Sequence, residues 1–91
     1  MPKGTKPRIL SRKEENELRE LLRDCGISLS RVAEAAGVSH PWVVDQFRGA
    51  RRLQPATLLA SQKLLRELRA KVEKAAARVD ELAEKLPEDD G

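Results

Sequence analysis

The sequence predicts an all-α protein: a bundle of three short helices followed by a long, coiled-coil-like C-terminal helix. Three observations predict it. Helix-start and helix-stop residues recur along the first half: Ser11, Ser28 and Ser39 each open a stretch that Gly26, Gly37 and Gly49 close. Between Pro55 and Pro87 nothing interrupts an apolar pattern of helical period. No stretch alternates apolar and polar residues as a half-buried strand would.

The opening "MPKGTKPRIL" holds two prolines and a glycine and is expected to be a flexible arm, residues 1–10. Helix 1 is expected at about 12–25. Ser11 with Glu14 three residues later forms a capping box, Leu18, Leu21 and Leu22 supply the apolar stripe, and Gly26 takes the left-handed position past the end. Helix 2 starts at Ser28, buries Leu29, Val32, Ala33 and Ala36, and stops at Gly37. Helix 3 starts at Ser39, places Pro41 in its first turn where a missing N–H costs little, and stops at Gly49. Val43 and Phe47 share its inner face. Helices this short persist only when packing holds them.

Pro55 opens the last helix, expected to run to 86, about 32 residues or roughly 48 Å at 1.5 Å per residue. From Leu65 the apolar spacing alternates three and four. This sets Leu58, Leu65, Val72, Val79 and Leu86 at heptad position a, and Ser61, Leu68, Ala75 and Leu82 at d. Leu58, Leu59 and Leu64 are expected to fold back on the bundle. Beyond Val72 no core remains to cover, so Leu65, Leu68, Val72, Ala75, Val79, Leu82 and Leu86 are assigned to self-association as a homodimer. Position g holds Lys71, Arg78 and Lys85, and e holds Gln62, Arg69, Ala76 and Ala83. No attractive g–e pair selects a parallel arrangement, and the small alanines lean the expectation towards antiparallel or bundle-like packing. The alternative is an amphipathic helix docked elsewhere. Residues 87–91 form an acidic tail.

Composition excludes several classes. Charged residues are 36% and apolar residues 40% of the 91, which limits the size of any core. With one His, one Cys and no Tyr, neither an active site nor a metal site has its usual parts. No enzyme activity, cofactor or metal is expected. Cys25 is read as a half-buried small residue, and Glu14-Glu15 and Glu88-Asp89-Asp90 as solvated acids. A lone cysteine suits a reducing interior, so a cytoplasmic, nucleoid-associated location is expected, with no membrane contact. Residues 1–55 carry eleven basic and seven acidic side chains, whereas 56–91 carry seven and eight. Lys3, Lys6 and Arg8, in an acid-free start, suit either phosphate contact or a solvated tail.

The stretch "GVSHPWVVDQFRGARR" (residues 37–52) contains the only Trp, Phe and His, followed by Arg48, Arg51 and Arg52. Its setting resembles the lambda-repressor/Cro-like (XRE-type) helix-turn-helix family over about residues 12–66. Gly26-Ile27-Ser28 matches the family's entry and Ala33 its mid-helix alanine. Gly37-Val38-Ser39 matches the turn, Val43 the inner residue of the recognition helix, Gly49 its end, and "PATLL" the entry to the fourth helix. The sequence departs from the family at Gln46, usually apolar, at Asp45, often basic or polar, and at Leu29, commonly a glutamine. The connection from Gly49 to Pro55 is about two residues longer than usual.

The resemblance implies a DNA-binding domain over 11–60, and the heptad spacing makes 55–86 a dimerisation helix. Ser39, His40, Pro41, Val44 and Asp45 would sit at the start of the recognition helix, with the three arginines after it. Val44 would meet a thymine methyl and Asp45 a cytosine amino group, while the arginines would reach phosphates or a base edge. Solvent exposure is the plain alternative for His40 and the arginines. Phe47 is assigned to the core, and Trp42 to helix 1, a second subunit or sugar-phosphate. The implied function is a small sequence-specific regulator of transcription, a repressor of phage or mobile-element type, bound to double-stranded DNA as a homodimer. A protein-interaction adaptor, or a DNA-binding antitoxin, packaging or partition component, is the alternative.

Overall fold

Ser11 opens α1 by local chemistry. Its hydroxyl accepts the Glu14 N–H at 3.1 Å, and Glu14 Oε1 accepts the Ser11 N–H at 3.0 Å. This reciprocal pair satisfies two donors at the helix start. A computed structural model describes residues 9–87 of the chain. α1 spans Arg12–Asp24, α2 Leu29–Ala36, α3 His40–Arg48 and α4 Pro55–Ala83, and the described residues contain no strand. Ser28 and Ser39 cap α2 and α3 through the N–H groups of Arg31 (3.2 Å) and Trp42 (3.3 Å). Gly37 ends α2 at φ 74° and Gly49 ends α3 at φ 89°, backbone shapes that an L side chain resists.

α2 packs against both α3 and α4, and α1 packs against α3. One aliphatic core forms among them from Leu22, Ile27, Val32, Ala33, Val43, Phe47, Leu53, Ala60 and Leu64. Phe47, 1% exposed, is its largest member. Fully burying a side chain of this size contributes about 1.5–3 kcal/mol. α4 enters the core with Thr57, Ala60, Ser61 and Leu64, the i, i+3, i+4, i+7 set of one face. Ser61 is buried without penalty because its hydroxyl donates to the Thr57 carbonyl at 2.9 Å. Leu58, Leu65 and Leu68 lie half-buried at the rim of this face. From residue 69 to 87 every residue is exposed, and α4 extends the molecule to 72 Å along its longest axis.

Several expectations are corrected. Glu15 is not solvated: it is 1% exposed, and Arg12 Nη1 donates to its Oε1 at 2.6 Å. Arg12 also donates from Nη2 to the Phe47 carbonyl and to Asn16 Oδ1, both at 3.4 Å. Its guanidinium thus neutralises a buried carboxylate on α1 and sits at the negative end of the α3 dipole. Gly49 leaves it room, since a Cβ there would lie 3.0 Å from Arg12 Cζ. Cys25 is exposed, as the C-cap residue of α1. Leu59 is 61% exposed because it lies outside the 57/60/61/64 face. α4 ends at Ala83 rather than at 86, with Glu84 as its C-cap. Leu65 and Leu68, assigned to a seam between subunits, rest partly on the core of their own chain.

Gln46 is fully buried where an apolar residue is usual, and the connection to α4 gives the reason. Its Oε1 accepts the Gln54 N–H at 2.9 Å and fixes the residue that precedes Pro55. Its Nε2 is buried with no hydrogen-bond partner among the described residues. Two more bonds, from the Ala50 and Arg51 N–H groups to the Asp45 carbonyl (2.9 and 3.2 Å), fold the chain back over the end of α3. Leu53 then drops into the core.

Two stability measurements test this packing. Phe47→Ala should lower the free energy of unfolding in urea by about 3–5 kcal/mol. Arg12→Ala should lower it by about 2 kcal/mol, since it removes a charge-assisted hydrogen bond from the buried Glu15 while Arg12 is itself partly exposed. In a double-mutant cycle Arg12→Ala and Glu15→Ala should be non-additive; additive losses would show that Arg12 does not stabilise the buried Glu15.

Candidate functional site

α3 has two unlike faces. Val43, Gln46 and Phe47 point into the core. Pro41, Val44, Asp45 and Arg48 follow at i, i+3, i+4 and i+7 and so share the outer face. Pro41 and Arg48 are exposed, Val44 and Asp45 half-buried, and His40 is exposed in the first turn. The three-residue connection Gly37-Val38-Ser39 sets this face. Gly37 reverses the chain, its N–H group bonds to Glu34 O at 3.2 Å, and that of Val38 to Ala33 O at 3.0 Å. Val38 tucks half-buried against the core. Ser39 spends its hydroxyl on the cap, so its part in any site is to start α3 at the right residue.

The end of α3 carries a second cluster. Arg51 Cζ lies 4.3 Å from the centroid of the Trp42 ring, a cation–π stack. Arg51 Nε lies 3.7 Å from Asp45 Oδ2, with the two side chains 50% and 42% exposed. A pair this open to solvent contributes little stability, at most about 1 kcal/mol. It does direct the guanidinium and offsets the negative charge of Asp45. Trp42 therefore packs under an arginine of its own chain, a neighbour that its position in the sequence does not reveal. Arg48 and Arg52 are exposed on either side of the Gly49 reversal, and the Arg52 carbonyl accepts from Gln54 Nε2 at 3.1 Å.

Ser39, His40, Pro41, Val44, Asp45, Arg48, Arg51 and Arg52 are thus brought together on and after one helix. Lys3, Lys6 and Arg8 lie outside the described residues. Val72, Ala75, Val79 and Leu82 form a separate exposed stripe along the far half of α4, continued by Leu86 past its end. Among the described residues no three His, Cys, Asp or Glu side chains gather as a metal site requires, and no helix is long and apolar enough to cross a membrane. A depression of about 170 Å³ between α2 and α4 is lined by Arg31, Leu64, Glu67, Leu68 and Lys71.

Trp42 is the only tryptophan, so its fluorescence reports the stack. Arg51→Ala should shift the Trp42 emission while changing stability by no more than about 1 kcal/mol. An unchanged spectrum would mean that Arg51 does not rest on the ring in solution. Comparison with protein-family models, with curated proteins and with solved structures returned no match.

Proposed function

We propose that the chain is a sequence-specific double-stranded DNA-binding regulator acting as a homodimer. In this reading α2 and α3 form a helix-turn-helix and α3 is the recognition helix. The observation that carries it is the division of α3 itself. One face is wholly committed to the core, while the other presents Pro41, Val44, Asp45 and Arg48 beside His40, with Arg51 and Arg52 immediately after. A helix held this way fits the major groove with its first turns against base edges. His40 and Arg48 are donors for a base edge, Val44 is an apolar contact for a thymine methyl, and Asp45 an acceptor for a cytosine amino group. Arg52 and Arg51 serve phosphates. Asp45 opposes phosphate less than an isolated acid would, because Arg51 stands beside it.

In this reading control comes from occupancy of the DNA site, which suits a repressor. The exposed stripe of α4 would join two heads. The same stripe favours the competing reading, an adaptor that docks another protein, and salt dependence separates the two. Binding through several phosphates falls steeply with salt, as counterions are released. A flat response, or no binding to duplex DNA at low salt, would favour the adaptor.

Replacing His40 or Arg48 by Ala should change site preference in a selected-sequence experiment. The loss is about 1–3 kcal/mol where a bidentate base contact disappears. Arg52→Ala should instead weaken all sequences alike and reduce the salt slope by about one. If Arg52→Ala leaves non-specific affinity untouched, the phosphate assignment is wrong. Removing residues 1–8 tests the basic arm in the same titration, with a lower affinity as the expected result.

A further inference from the structure

We infer that the exposed half of α4 pairs in parallel, and in register, with α4 of a second copy. The inference rests on the self-association proposed above and adds its orientation, which reverses the antiparallel lean of the heptad pattern. Because Leu65 and Leu68 rest on the core, the free stripe is short: Val72, Ala75, Val79 and Leu82 within the helix. β-Branched residues at a with leucine at d favour two parallel strands, and here Val72 and Val79 hold a while d holds the small Ala75 and then Leu82.

The two edges of the stripe differ in charge. One carries Lys71 and Arg78, with Lys85 just past the helix end and Lys74 further out, against the single acid Glu81. The other carries Ala76 and Ala83, flanked outward by Glu73 and Asp80. In a parallel pair the first edge of one helix meets the second edge of the other. Ala76 and Ala83 leave room for Lys71 and Arg78 to extend across towards Glu73 and Asp80 of the second copy. In an antiparallel pair like edges meet, so Arg78 faces Arg78 and Lys71 faces Lys85, and repulsion disfavours that arrangement. Arg78 also bonds Glu81 of its own helix at 3.0 Å, but those side chains are 62% and 66% exposed, and so open a pair does not hold Arg78 from a better partner.

Orientation also decides where the heads lie. A parallel pair brings both heads to one end of the coil, with helix axes about 8–10 Å apart. An antiparallel pair centred near residue 77 would separate the two copies of Ala60 by roughly 50 Å along the axis. Half-sites one DNA turn apart, about 34 Å, suit the first arrangement.

Cross-linking of the full chain tests the orientation without DNA. In a Cys25→Ser background, Val72→Cys alone and Leu82→Cys alone should each give a disulfide-linked dimer under mild oxidation, with helicity unchanged by circular dichroism. In the antiparallel alignment the two copies of position 72 lie roughly 15 Å apart, too far for a disulfide. Only a mixture of the two variants would then cross-link. Glu73→Lys with Asp80→Lys should raise the dimer dissociation constant about tenfold by sedimentation, since attraction across the seam becomes repulsion. Cross-linking in the mixture alone, or an unchanged dissociation constant, would overturn the parallel orientation and leave self-association standing. A wild-type chain that sediments as a monomer at tens of micromolar, with no variant cross-linking, would overturn self-association itself and leave DNA binding by the head to its own salt test.

Discussion

Helices of eight and nine residues do not persist alone in water, and this one constraint organises the molecule. α2 and α3 exist because each buries a face on something longer. α2 lies against α4, and α3 lies against α2 and α1. The first half of α4 is therefore the wall of the head as well as the beginning of a projecting arm. With only two aromatic residues in the chain, the core depends on Phe47 for bulk and on Leu, Ile, Val and Ala for the rest. The outward face of α3 is available because the inward face is so fully used.

Polar contacts then set the angles that apolar packing leaves loose. Arg12 touches the buried Glu15, the end of α3 and the space above Gly49, so one guanidinium fixes how α1 meets α3. Gly49 is required by its positive φ, and its missing Cβ also lets that guanidinium approach closely. Gln46 does comparable work on the other side, holding the N–H of Gln54 as the chain turns into α4. These contacts sit just behind the residues proposed to meet DNA. A disturbance at Arg12 or Gln46 would thus reach the site as a change in the pose of α3, without touching any exposed side chain.

What the sequence made legible follows the range of each interaction. The starts and ends of α1, α2 and α3 were readable because caps and left-handed glycines act within three or four residues. The outer face of α3 was readable too, since helical phase alone separates Pro41, Val44, Asp45 and Arg48 from Val43 and Phe47. Glu15 reads as a solvated acid, and its burial depends on a partner one turn away. Trp42 and Arg51 meet only because the chain reverses at Gly49, and no periodicity announces that contact. Leu59 looked like core and is exposed because one residue of helical phase separates it from Leu58. The DNA-binding role rests on the family resemblance together with this face, and the fold itself, four helices ending in a long one, does not require it.

α4 runs unbroken from the residues that wall the head to those of the outer stripe. Each residue of an α-helix turns the chain by about 100°. The angle between the face holding Leu64 and the face holding Val72 is therefore a matter of counting, fixed by the number of residues between them. A single insertion in that interval would swing the stripe a quarter-turn or more around the axis, whereas an insertion of seven would nearly restore it while lengthening the arm by roughly 10 Å. Length and direction in this molecule are thus separately adjustable. An arm built this way can change its reach in whole heptads during evolution, while steps of one or two residues would point it elsewhere.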